Sequence, residues 1–372
     1  MNKYEKRKQK REEKKNKIIG QYQSYENIYR PAALYKAAFK SAKGVMFKAS
    51  VQKFLLNLFR NIYNAHQDLI NGVNVTKGFI KFIVIERGKR REISSVKIIE
   101  RFIQKDACTE VLYPVLTHNL ITDNGASQKG KGTLFAQQRL VKHLCQYYKR
   151  YGKEGYVLTI DFKNYFGSVP HKQLKNLLSK HLKDYRVVKL ANDFIDAFDK
   201  EKGLGLGSET SQIFAICYVN EIDHFIKDIL GVKAYGRYMD DSYIIHHDKN
   251  ALKDILSRLN FYFEKYGIEI NKKKTCIRKL SQGFTFLKTR FYLSESGKII
   301  KKPCRQSITR ERRKIKKHYK HYLAGDLTME TINQSYESWL GSMKRRTARK
   351  SVYNTKLLYN SLFMKGENEN GK

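Results

Sequence analysis

Apolar positions recur at helical spacing between Ser50 and Asn71, where Val51, Phe54, Leu55, Leu58, Phe59 and Ile62 fall three or four residues apart, which predicts an amphipathic helix. The next run, GFIKFIVIERGKRREI, alternates and then turns like a β-hairpin. Helices are expected from about Val96 to Leu116 and from Leu134 to Arg150, separated by the glycine-rich loop DNGASQKGKGT. YVLTI, Tyr156 to Ile160, is a short β-branched run that stops at Asp161, the pattern of a buried strand delivering a carboxylate at its end. Two helical segments follow, near Lys172 to Lys183 and Val187 to Phe198. Beyond a pliant loop carrying Gly203, Gly205 and Gly207, a helix capped by Ser208 or Thr210 shows an apolar face of Ile213, Ile216, Tyr218, Ile222, Phe225, Ile226 and Ile229.

KAYGRYMDDSYIIHH reads as two short strands with Asp240 and Asp241 at the turn. A helix from about Ala251 to Tyr266 ends at Gly267, a typical position just past a helix end. Two strand-like runs, EINKKKTCI and GFTFLKTRFYL, come next. The remainder, Ser307 to Phe363, is helical and very basic; breaks at Gly325-Asp326 and in the Arg345 to Arg349 region predict three helices in a small bundle around Trp339. Residues 1–20 read as a basic flexible arm and 364–372 as a frayed tail.

Charge narrows the partners. The 372 residues include 74 Lys plus Arg against 35 Asp plus Glu, a formal net charge of +39, which is most simply explained by a polyanion bound along much of the surface. The 20 Phe and 25 Tyr supply enough apolar mass for cores. Five widely spaced cysteines, an odd count without a CxxC pair, disfavour a disulfide framework and a zinc site and point to a reducing, cytoplasmic setting. No apolar stretch is long enough for a membrane span, so no membrane partner is expected.

Basic clusters mark candidate phosphate contacts: Arg87, Lys89, Arg90 and Arg91 at the hairpin tip, and Lys129 and Lys131 among the loop glycines. An Asp-Asp pair between apolar strands is by itself more often a tight turn than a metal site. Its order within the chain changes that reading. A strand ends in Asp161, a glycine loop leads to a capped helix, and a hairpin then carries Asp240 and Asp241. Carboxylates gathered this way need cations, and Mg²⁺ is the natural counter-ion.

At this point the chain resembles reverse transcriptases. YMDD (Tyr238 to Asp241) resembles their YxDD box and DFKNYF (Asp161 to Phe166) their preceding aspartate motif; LGSETSQ (Leu206 to Gln212), KKT (Lys273 to Thr275) and FTFL (Phe284 to Leu287) follow in the family's order. The resemblance runs from about Lys81 to Leu293. It implies an α+β right-hand polymerase with a split-βαβ palm: fingers over 21–153, palm over 154–293 and helical thumb over 294–363.

The resemblance further implies a site. Asp161 and Asp240, with the Phe162 position and a weaker Asp241, would hold two Mg²⁺ ions, for which Mn²⁺ can substitute. Phe166 would be the aromatic gate against a ribose 2′-hydroxyl. Lys274, or alternatively Lys273, would protonate the pyrophosphate leaving group. Arg91, Lys129, Lys131, Gly207, Ser211 and Gln212 would meet the incoming nucleotide. Tyr238, Met239, Lys288, Arg310, Arg313 and Lys317 would contact nucleic acid. Implied partners are template RNA, the RNA–DNA hybrid, deoxynucleoside triphosphates and an accessory protein. The Ser-Gln form of LGSETSQ resembles diversity-generating retroelement enzymes; defence-associated reverse transcriptases and a non-catalytic RNA-binding scaffold of the same fold are the alternatives. FLK, where the family commonly has FLG, puts a lysine beside the primer strand.

Overall fold

The computed structural model describes residues 20–364 except 87, 199 and 200, together with 9, 13, 16 and 17. Most of the basic arm, Arg87 and residues 365–372 lie outside the described residues. Strands are β1 (Phe79–Glu86), β2 (Lys89–Val96), β3 (Tyr156–Asp161), β4 (Tyr235–Tyr238), β5 (Asp241–His246), β6 (Cys276–Lys279), β7 (Phe284–Phe286), β8 (Thr289–Leu293) and β9 (Ile299–Pro303). The principal helices are α1 (Pro31–Ala42), α2 (Leu58–Ile70), α3 (Ile98–Ala107), α4 (Thr133–Tyr151), α5 (His171–His181), α6 (Tyr185–Asp196), α7 (Glu209–Tyr218), α8 (Lys249–Lys265), α9 (Arg305–Leu323), α10 (Met329–Met343) and α11 (Arg349–Phe363).

A four-stranded antiparallel sheet, ordered β4-β5-β3-β6, forms the centre. Side chains alternate across a strand, and here both faces are covered. Val157 and Ile245, a register pair, join the core under α4 with Leu140, Leu144, Phe286 and Phe291. Leu158 and Ile244, the next pair, join the opposite core with Phe194, Phe214 and Leu259. Burial on both faces is why these strands read as continuous apolar runs rather than as polar-apolar alternation.

Capping explains where the helices begin. The Ser208 hydroxyl accepts from the Ser211 N–H at 3.4 Å, so Ser208 rather than Thr210 is the cap of α7, and Asp184, Asp248 and Thr328 cap α6, α8 and α10 in the same way. The three C-terminal helices enclose a separate small core of Ile315, Ile332, Tyr336, Trp339, Met343 and Tyr359. They are tied back to the β7-β8-β9 sheet by Arg346, which donates to the Thr289 hydroxyl at 3.1 Å.

Several expectations are corrected. The segment 50–71 is two helices, Ala49–Leu56 and α2, because the backbone leaves helical geometry at Asn57 (φ −105°, ψ 25°); Phe59, expected in the apolar face, is 79% exposed. Val96 closes β2 instead of opening a helix, and α3 runs into a π-helical segment at Cys108–Leu112. Past α7 the chain winds into another π-helical segment, Phe225–Ile229, which rotates Ile229 out of the predicted core face to 71% exposure. In EINKKKTCI only Cys276 onward is strand, since residues 271–275 form a turn. Among the described residues no helix is long and apolar enough to cross a membrane.

Candidate active site

The two acid-bearing motifs are adjacent by register. Asp161, the last residue of β3, is paired with Asp241, the first of β5, and the Phe162 N–H donates to the Asp240 carbonyl at 3.1 Å. Tyr238 and Asp241 face each other across the hairpin, leaving Met239 and Asp240 as its two-residue turn. Met239 has φ +54°, the left-handed conformation that tight hairpin turns demand.

The turn is held from behind by a buried cation. Arg237 is 1% exposed; its guanidinium donates to the Met239 carbonyl (3.1 Å), to the Ile216 carbonyl of α7 (2.9 Å) and to the Asp223 carboxylate (2.6 and 2.8 Å). All of its polar groups face acceptors, as burial of a guanidinium requires. The Arg237 backbone also pairs with the loop before α4: its N–H donates to the Asp123 carbonyl and its carbonyl accepts from the Gly125 N–H.

Asp161 is held from the other side. Its N–H donates to the Thr275 hydroxyl (3.3 Å) and its carbonyl accepts from Asn271 (2.7 Å), so the 271–275 turn is pinned to β3. That turn presents Lys274, whose ammonium lies 2.8 and 2.7 Å from the two Asp161 carboxylate oxygens. Lys273, the competing candidate, is exposed and does not line the cavity.

Asp161, Asp240 and Lys274 open onto a cavity of about 620 Å³ between the sheet and the β1-β2 hairpin. Arg91 lies on its wall, ion-paired with Glu86 at 3.0 Å, and Phe166 lies on its floor, half-buried and edge-on to Tyr165. Burial raises the Asp240 carboxyl above its ordinary value, with the neighbouring Asp161 charge adding to the effect. Burial pushes Asp241 up to about 7 despite a hydrogen bond from the Leu287 N–H. That bond also shows what Asp241 touches, which is the β7-β8 turn rather than the cavity.

Other predicted contacts fall elsewhere. Phe162 borders the cavity, and its ring is buried against Tyr165 and Phe263. Lys131 is turned inward onto the Thr122 and Asn124 carbonyls, and partial burial lowers its pKa. Lys129 packs over the Tyr113 ring, 5.2 Å from its centroid. Neither lysine reaches the cavity with the carboxylates. In the same loop Gly125 serves packing, since a Cβ there would meet the Ala136 Cβ at 2.8 Å.

Ser211 is 1% exposed beneath the start of α7, and Gln212 is bonded to the Ser127 hydroxyl outside the cavity. Gly207, with φ +120°, sits against the β2 backbone, where a Cβ would meet the Ser94 carbonyl at 3.1 Å. Tyr238 and Met239 are half-buried at the hairpin turn, and Leu287 and Lys288, both at positive φ, form the two-residue turn between β7 and β8. Arg310, Arg313 and Lys317 are exposed on α9, three and four residues apart and therefore on one face.

The cavity also contains cations outside the basic clusters named from the sequence: Lys81 on β1, Lys163 in DFKNYF and Lys202 line it with Lys89 and Arg90. Lys163 is engaged by Glu269 at 2.8 Å. They come from segments far apart in sequence, and only the hairpin pair formed a visible cluster.

Residues 83–291, more than half of the chain, match the family described as reverse transcriptase (RNA-dependent DNA polymerase). The chain belongs to the reverse transcriptase family, whose members are RNA-directed DNA polymerases and hence nucleotidyltransferases. No curated protein matches it. Among solved structures it is similar to apo telomerase from Candida tropicalis (14% identity, 77% of this chain and 58% of that one, TM-score 0.51). It is also similar to the same telomerase truncated from its C-terminal domain (16% identity, 61% and 55%, TM-score 0.50). The chain spans little more than half the length of these telomerases. The likeness is one of fold, the right-hand polymerase fold of mixed helix and sheet.

Reverse transcriptase domains generally use divalent metal ions. The donor set fits such an ion in kind: hard carboxylate oxygens of Asp161 and Asp240 share a cavity wall, and burial, with the Asp161 charge added, raises the Asp240 carboxyl. The Lys274 ammonium supplies positive charge there at Asp161. Among the described residues no three acidic, histidine or cysteine side chains are already gathered closely enough to enclose a metal.

Proposed function

We propose that this chain synthesises DNA on an RNA template, in a reducing, cytoplasmic setting, as the polymerase of a diversity-generating retroelement. The single observation that carries the chemistry is the meeting of Asp161, Asp240 and Lys274 on one cation-lined cavity large enough for a nucleotide. The division of labour is fingers over 21–153, palm over 154–293 and thumb over 294–363.

Asp161 and Asp240, with the Phe162 main chain, are the residues that would hold Mg²⁺, two ions or Mn²⁺ in their place. Bound there, the metal supplies charge neutralisation for an in-line displacement at phosphorus. The chain's own residues do the rest. Arg91, with Lys89 and Arg90, receives the triphosphate; Phe166 crowds the 2′ position of the sugar; Lys274 holds a proton beside the leaving pyrophosphate. The exposed face of Arg310, Arg313 and Lys317 tracks the template–primer backbone.

Support for the retroelement setting is the Ser211-Gln212 pair in LGSETSQ. The test is to purify the chain with the RNA that travels with it, supply Mg²⁺ and deoxynucleotides, and sequence RNA and product. Substitutions concentrated at template adenines support the proposal. A faithful or repetitive product from a dedicated non-coding RNA reassigns the chain to phage defence. RNA binding without incorporation, equal with and without Mg²⁺, reduces it to a scaffold. Asp240→Asn with full activity overturns the catalytic assignment.

A further inference from the structure

A second cavity, of about 610 Å³, lies at the other end of the central sheet from the catalytic carboxylates. The β3-β5 register runs from Asp161↔Asp241 to Tyr156↔His246, five residues or about 17 Å along the strands. Its walls are the last turns of α4, the 229–234 segment before β4, the end of β5 and the first half of α8.

The lining has three parts. Val232, Ile245 and Ile255, all buried, make an apolar floor. One wall is a ladder of planar groups: the Arg150 guanidinium lies 5.3 Å from the Tyr151 ring centre, Tyr151 stacks on His247 (4.7 Å, 14°), and His247 stacks on His246 (4.3 Å, 30°). The charged groups are mostly positive, with Arg150, Lys233 and Arg258 set against the lone carboxylate Asp254, which lies 4.0 Å from Arg258. The Gln146 amide adds both a donor and an acceptor.

Backbone geometry gives an independent reason to see a site. The π-helical segment Phe225–Ile229 ends at the cavity and leaves Ile229 71% exposed beside it. Such windings are rare and concentrate at functional sites. A flat ladder, an apolar floor and clustered cations together select a ligand that is planar and aromatic at one end and anionic at the other. The volume is in the range for a ligand of that size.

We propose that this cavity binds a nucleotide, its base over the apolar floor and against the ring edges of the Tyr151-His247 ladder and its phosphate toward Arg150 and Arg258, at a site separate from the polymerising one. The shared chemistry, a nucleobase with phosphate, is offered by a free nucleoside triphosphate or by the end of an RNA strand. The site needs none of the catalytic carboxylates, so it stands or falls independently of the polymerase reading.

The test is equilibrium dialysis of the full chain with radiolabelled ATP in EDTA, where a metal-dependent site is silent. Saturable binding of one ATP per chain is expected, resisting an equal concentration of tripolyphosphate. Tyr151→Ala and Arg258→Ala, both at exposed positions, should each weaken it by about tenfold, the scale of one lost stacking or charged partner. Circular dichroism checks that both variants remain folded. Tighter binding of ATP than of tetra-adenylate assigns the free nucleotide, and the reverse order assigns a strand end. Absence of saturable binding, equal displacement by tripolyphosphate, or unchanged affinity in both variants overturns the proposal.

Discussion

Arg237 and Asp223 form an ion pair at 2.6 Å in which both residues are at most 1% exposed, and the same guanidinium holds the carbonyl of Met239, the residue before Asp240. The pair thus joins the hydrophobic core to the position of a catalytic-site acid. Removing one partner of a buried pair strands the other charge, which costs about 3–5 kcal/mol. Arg237→Ala should lower the urea midpoint accordingly. Arg237→Lys should lose less stability, yet it cannot serve the Asp223, Ile216 and Met239 acceptors in one plane. Its incorporation rate should therefore fall further than its stability predicts. A lysine variant with unchanged activity would show that the Met239 contact does not position Asp240.

Lys274 places its ammonium against both oxygens of Asp161, where it competes with any other cation for that carboxylate. Lys274→Ala is expected to bind Mn²⁺ more tightly, read as loss of the free-ion paramagnetic resonance signal. Incorporation should drop by about a hundredfold, the lower end of what a general acid contributes. Opposite movement of the two readouts separates a proton donor from a mere prop. If Lys274 only held Asp161 in place, ion affinity and rate would fall together.

Asp106 gives a pH dependence distant from the cavity. Its side chain is 1% exposed, Oδ2 has no hydrogen-bond partner, and burial, with the Glu110 charge added, pushes its pKa from 3.8 to about 8. Between those values the folded chain keeps a proton on Asp106 that the unfolded chain releases, so the contribution of Asp106 to stability is most favourable at low pH and falls as pH rises toward 8. Asp106→Asn removes this loss. The variant should be more stable than wild type by a few kcal/mol at pH 9, with the difference shrinking toward pH 4. Paired denaturation curves at the two pH values check the sign, and a constant difference would contradict it.

Phe166 is half-buried on the cavity floor, fixed edge-on against Tyr165, and its carbonyl accepts from the Leu204 N–H at 2.5 Å. The ring is therefore braced by Tyr165 on a backbone that Leu204 fixes. Phe166→Ala should raise ribonucleotide use relative to deoxynucleotide use by about tenfold or more, the scale on which one apolar group in a pocket discriminates. The ratio of kcat/KM values measures it. An unchanged ratio would make Phe166 a core residue and nothing else.

The sequence conveyed contiguous features and lost convergent ones. YVLTI with Asp161 and Gly267 carry their signal within a few neighbouring residues and the structure places them as read, while it moves the hairpin turn one residue back to Met239-Asp240, with Asp241 opening β5, and decides the cap of α7 for Ser208 over Thr210. Arg237 carried no such signal, because one more arginine in a chain of +39 reads as surface; only the fold brings Asp223 and the Ile216 carbonyl to it. Lys131 looked like a phosphate ligand for the same reason, yet two carbonyls of its own loop claim it. Lys81 and Lys202 converge from separate segments and had no spacing to reveal them. Exposed Phe59 shows the limit of periodicity, which marks an apolar face but not whether the chain itself covers it.

Gly207 links the hairpin to the loop that carries it. The Ser94 N–H of β2 donates to the Leu206 carbonyl at 2.9 Å, and Gly207 then turns away at φ +120° with the Ser94 carbonyl and the Ile93 side chain 3.1 and 3.2 Å from where a Cβ would stand. An alanine there meets both a disfavoured backbone conformation and a backbone oxygen that cannot yield without moving β2. The cheaper relief is for the hairpin to lift, since its two strands pair only with each other. Gly207→Ala should therefore accelerate hydrogen exchange at the Ser94 amide and along β2, while the α7 amides, buried in the main core, stay protected. Because Arg91 and Lys89 ride on the same hairpin, KM for the deoxynucleotide should rise more than kcat falls. Uniform loss of protection across α7 and β2 would instead place the strain in the core and deny the hairpin independent movement.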